Sequence, residues 1–124
     1  MATRRNGTLV GTLDVAAVVA FVVIGRASHG HGDAPGGVAS TLWPFGCGLV
    51  AGWAATRVAR QPAASVPGGV LTCLVTVALG MLLRVIAGQG TAPSFVAVAT
   101  GFLGTVMLGG RLLLRRRARP SRAR

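Results

Sequence analysis

The side chains able to do chemistry in this 124-residue chain fall in two places. The stretch "GRASHGHGD", residues 25–33, sets Arg26, His29, His31 and Asp33 close together. Two histidines two positions apart share a metal only with help from Asp33 or another chain. A helical pair would need i, i+4 spacing to share a face. The pattern is a weak metal signal and reads as a polar, hydrogen-bonding turn; no metal is expected. Arg84 and Gln89 occupy a second turn of the same kind. If the first and third helices are neighbours, these six residues form an outer-face polar cluster in which arginines hold phosphate and histidine shuttles protons.

The second place lies inside apolar sequence. Asp14 is the only acid within an apolar run, and Arg111 lies near the end of the last run. An unpaired acid at a helix centre costs about 2.5 to 3.5 kcal/mol on insertion scales, so Asp14 is expected either to pair or to stay protonated. Two readings follow: an intramembrane charge pair, Asp14 with Arg111, that ties the first helix to the last, or a titrating carboxylate facing a wet cavity. No Cys-x-x-Cys, no Ser-His-Asp set and no phosphate-cradling loop is present, so neither catalytic residues nor a cofactor are expected. Cys47 and Cys73 fall at different depths and read as free, buried thiols.

The elements that must position these residues are read from composition. The chain is 52% hydrophobic and 12% charged, against about 25% charged in a soluble domain. Four apolar segments predict an all-α, polytopic four-transmembrane-helix bundle with helices at about 9–26, 38–58, 68–87 and 95–114. Residues 1–8 then form an N-terminal tail, 9–114 the transmembrane domain and 115–124 a basic tail. A cleaved signal peptide is disfavoured, because Asp14 interrupts the would-be apolar region.

The net charge of +11 comes entirely from arginines against two acids. These arginines sit between and after apolar runs instead of covering one face, which argues against nucleic acid. Eleven of the thirteen flank one side of the predicted bundle, and only Arg26 and Arg84 lie on the other. The positive-inside rule then puts both termini in the cytoplasm of a multi-pass cell-membrane protein, with the loops at 25–37 and 88–94 outside.

The spacing Arg26-x-x-x-Gly30-x-Gly32 recurs as Arg84-x-x-x-Gly88-x-Gly90, followed by Pro44-Phe45 and by Pro93-x-Phe95. The chain is either two tandem helical hairpins or a coincidence of low-complexity sequence. Gly48-x-x-x-Gly52 and Ala97-x-x-x-Gly101 are small-xxx-small pairs that allow close helix packing, and Gly104 adds to the second. Pro44 is expected to kink the second helix or to start its regular part. Trp43 fits an outer aromatic belt, and Trp53, deeper and towards the inner side, is expected to pack.

Asp14, "FVVIGRASHG", "WPF", "GW", Arg84 with "AGQGTAPSF" and a closing arginine occur in this order over nearly the full length. The chain thereby resembles the domain of unknown function 3054 family of small bacterial membrane proteins. The resemblance implies a four-helix integral membrane protein and no established activity.

Three functions are consistent with these residues. The first is a non-enzymatic membrane protein acting through helix packing or association, as a homo-oligomer or with a membrane protein partner, its C-terminal arginines on anionic lipid headgroups. The second is a small proton-linked secondary transporter using Asp14. An acid in the first of four helices is similar to the small multidrug transporters, but those assemble as antiparallel pairs, and the strong arginine bias here predicts one orientation. The third is a lipid-modifying activity at the outer face.

Overall fold

The computed structural model describes residues 2–28, 35–88 and 93–118. It contains α1 (Ala2–Ser28), α2 (Pro35–Val58), α3 (Val66–Ile86) and α4 (Pro93–Ala118). The first and last helices run further than their apolar segments. Residues 2–8, expected as a tail, begin α1, and 115–118 continue α4. A helix needs no apolar residues to propagate once nucleated, so its polar ends add turns beyond the hydrophobic stretch.

Among the described residues, three helices contain stretches long and apolar enough to cross a membrane: Gly7–Gly25, Val66–Ile86 and Phe95–Arg116. The 24-residue α2 is also long enough for a span, and it carries Ser, Thr, Trp, Pro and Gly among its apolar residues. It nevertheless runs unbroken through Pro44, so the proline does not mark its start.

The ends of α3 and α2 are set by local bonds. The Ser65 hydroxyl oxygen accepts from the Gly68 amide at 3.0 Å and so caps the start of α3. At the end of α2, the Gln61 amide donates to the Thr56 carbonyl (3.0 Å) and the Arg60 amide to the Arg57 carbonyl (3.1 Å). This Schellman pattern places Arg60 in the left-handed region (φ 59°), where glycine is the usual occupant.

Adjacent helices are antiparallel and close into a ring, α1 beside α2, α2 beside α3, α3 beside α4 and α4 beside α1. Among the described residues, the backbones of α1 and α3 stay apart on opposite corners, as do those of α2 and α4. The closest approach is between α2 and α3. A Cβ on Gly48 would lie 2.6 Å from the Thr76 carbonyl oxygen, and one on Gly52 would lie 2.9 Å from that of Thr72. Both glycines therefore serve the packing of this pair. Ala97 and Gly101 do not: both are exposed, and a Cβ on Gly101 would meet nothing within 4 Å. The buried residues Ala99, Leu103 and Met107 point α4 into the bundle, which turns positions 97 and 101 outward. Gly104 lies near the Cys73 sulfur.

Candidate functional site

The chemistry-bearing residues separate into two layers across the bundle. The first lies towards the end at which α2 and α4 terminate. Asp14 of α1 and Arg111 of α4 are 0% and 2% exposed and form a two-pronged ion pair, Nη1 to Oδ1 and Nη2 to Oδ2, each at 2.9 Å. Bidentate guanidinium–carboxylate pairing is the strongest form of this contact, because two parallel charge-assisted bonds share one geometry.

Three further bonds complete the layer. The Trp53 indole Nε1–H of α2 donates to Asp14 Oδ2 at 3.0 Å. Arg111 Nε–H donates to the Ala63 carbonyl in the α2–α3 connection at 2.8 Å, and Nη1–H reaches the Met107 carbonyl at 3.3 Å. Helix α3 contributes Gly69, on which a Cβ would run into the Arg111 Cδ and lie 2.9 Å from its Nε. The absent side chain leaves the slot in which the arginine stem lies, so all four helices touch this cluster. Sequence reasoning treated Trp53 as packing alone. A depth count back from the α1–α2 connection, which puts Trp53 within about one turn of Asp14, was the available signal.

The second layer lies towards the opposite end and gathers all four phenylalanines of the chain. Phe21 of α1 sits 5.5 Å from Phe45 of α2 at 81°, 5.4 Å from Phe95 and 6.0 Å from Phe102, both on α4. Phe45 and Phe95 meet across the ring diagonal at 5.9 Å and 67°. The Phe21–Phe45 and Phe45–Phe95 pairs are the edge-to-face arrangement that aromatic quadrupoles favour, and the other two pairs are tilted at similar separations. Gly80 of α3 leaves the space for the Phe45 ring, since a Cβ there would lie 2.7 Å from it. The Arg84 guanidinium stacks over Phe95, 4.4 Å from its centroid.

The outer-face polar cluster is placed only in part. His29, His31, Asp33 and Gln89 lie outside the described residues, as does the Arg26 side chain. Arg84 lies over Phe95, and the backbones of α1 and α3 are not neighbours. Among the described residues, no group of three His, Cys, Asp or Glu side chains gathers. Both cysteines are free thiols, but Cys47 is exposed where burial was expected, and only Cys73 is buried. Trp43 is 43% exposed on the outer surface of α2.

A four-helix bundle with three membrane-length apolar stretches and an interior ion pair defines the class. Within it, residues 12–114 match the family described as "Protein of unknown function (DUF3054)", and the chain belongs to that family. No curated protein and no solved structure matches it.

Proposed function

We propose that this chain is a four-span, non-enzymatic protein of a bacterial cytoplasmic membrane, with both termini in the cytoplasm. It acts by association with anionic lipid and with other membrane helices, and its Asp14–Arg111–Trp53 layer is a structural closure. The observation that carries this reading is the state of the Asp14 carboxylate. Both oxygens are engaged, by three N–H donors in all, and the side chain is fully buried. A proton-coupled transporter needs a carboxylate that exchanges protons with water, and protonating this one would break a bidentate pair and leave Arg111 uncompensated.

The fourth span is supported by length and place. At about 1.5 Å per residue, α2 is about 36 Å long, enough for a hydrocarbon core of about 30 Å, and it packs between two of the more apolar helices. Orientation is supported by the arginines at the ends of α2 and α4, among which Arg57, Arg60, Arg115 and Arg116 are exposed.

Reporter fusions after Gln61 and Arg124 should read cytoplasm, and fusions after Asp33 and Gly90 the outside. An external signal at Gln61 overturns the span count. An Asp14→Asn protein that assembles normally but has lost a proton-dependent flux measured in vesicles of the parent chain would replace the closure with the transporter.

A further inference from the structure

Beside the ion-pair layer, the surface of the bundle opens between α1 and α2. One hollow of about 800 Å³ is walled by Gly7, Val10 and Gly11 of α1 and by Trp53, and Arg57 and Gln61 stand at its margin. A second, of about 590 Å³, shares Gly11 and Trp53 and runs along α1 past Val15 to Val19. From Gly7 to Val19 the helix rises about 18 Å, slightly more than the about 15 Å of hydrocarbon in one leaflet. Apart from the Thr8 and Thr12 hydroxyls the walls of this second hollow are apolar, and the charged and amide side chains, Arg57 and Gln61, belong to the first, at the end where α2 terminates.

That end is electropositive. Arg57, Arg60, Arg115 and Arg116 are exposed there, while the chain's only acids are Asp14, which Arg111 already neutralises, and Asp33 in the α1–α2 connection. Nothing within the described residues offsets Arg57, and a free anion would have no use for the apolar trough below it. An amphiphile with a negative head satisfies both parts.

We propose that this groove seats an acyl chain of an anionic phospholipid, with the lipid phosphate held by the Arg57 guanidinium and Gln61 at the mouth. The site deepens the association with anionic lipid argued above by naming where on the chain it occurs. It rests on the membrane reading, but an error in topology would show in the reporter fusions and leave the lipid contrast below unchanged.

Trp53 lines both hollows and reports their occupancy. In full-length Trp43→Phe protein it is the sole tryptophan. The protein is placed in vesicles of equal phosphatidylcholine and phosphatidylglycerol, with bromine on the acyl chains of one lipid or the other. Brominated phosphatidylglycerol should quench Trp53 with an about fivefold preference, equivalent to the about 1 kcal/mol expected of one arginine at an anionic headgroup. Arg57→Gln, a change at an exposed position that spares the interior, should bring the preference to near unity. Arg115→Gln with Arg116→Gln should leave it in place. Equal quenching by the two lipids overturns the site. So does a preference that survives Arg57→Gln, or one that the α4 substitutions abolish equally, since either would mean that the basic end attracts lipid without a seat.

Discussion

At the level of Asp14 the four helices meet through directional bonds, and at the level of Phe21 through aromatic rings. In the first layer each contact has one geometry: the carboxylate takes two prongs from Arg111 and one bond from Trp53, and further guanidinium protons go to the Ala63 and Met107 carbonyls. In the second, four rings approach at angles from 35° to 81°, and no atom depends on one partner alone. The difference matters in a bilayer. Lipid tails are as apolar as Phe, so the aromatic layer gains only close packing, whereas an uncompensated charge has nowhere favourable to go. One layer is therefore all-or-none and the other graded.

Removing one member of the charge pair is the hardest test of that contrast. Asp14→Ala or Arg111→Ala should each destabilise the bundle by about 3 to 5 kcal/mol, read as a lower thermal midpoint in detergent and a reduced level in membranes. The double substitution Asp14→Leu with Arg111→Met removes both charges and should lie closer to the parent than either single change. A double variant no better than the worse single one would mean that charge compensation is not what holds this layer.

Phe45→Ala should cost about 2 to 3 kcal/mol in the same thermal assay. The cavity is the main loss, because the transfer penalty that water would add is missing in lipid. A loss equal to that of Asp14→Ala would erase the distinction between the layers. Trp53→Phe keeps the ring and the ion pair but removes one bond to a charged oxygen, for an expected loss of about 1.5 kcal/mol. If that change proves as damaging as Asp14→Ala, the indole is an equal partner and the closure is a triad.

The smallest effect is expected at Thr72. Its hydroxyl is the buried side-chain polar atom left without a hydrogen-bond partner among the described residues. Thr72→Val removes no bond and should change the midpoint by the equivalent of no more than about 0.5 kcal/mol. A larger loss would show that this hydroxyl has a partner and belongs with the directional layer.

Asp14 and Arg111 stand out in the sequence because ionisable residues are scarce there, and helix-end counting gives both similar depths. Neither fact specifies what surrounds them. That the Trp53 indole faces Asp14, that Gly69 leaves the slot for the arginine stem, and that Ala63 offers its carbonyl depend on the rotation of three elements about their axes. The Ala97–Gly101 spacing likewise suggests a packing face, but α4 is turned the other way and both residues are exposed. Spacing says that two small residues share a helix face; only the neighbours say which face is inside.

What the chain's sequence determines alone is the number and approximate place of its helices, its family and the bias of its arginines, because these rest on local composition and on the rise per residue. Tertiary structure decides ring order and rotation. The backbones of α2 and α3 close on Gly48 and Gly52, Phe45 enters the space at Gly80, and α1 and α3 stand at opposite corners. Arg84 then lies over Phe95, and the hollow between α1 and α2 is left open near Arg57. The reason is steric: a bundle this rich in glycine offers many close approaches of similar local merit, and only the simultaneous fit of all four helices selects among them.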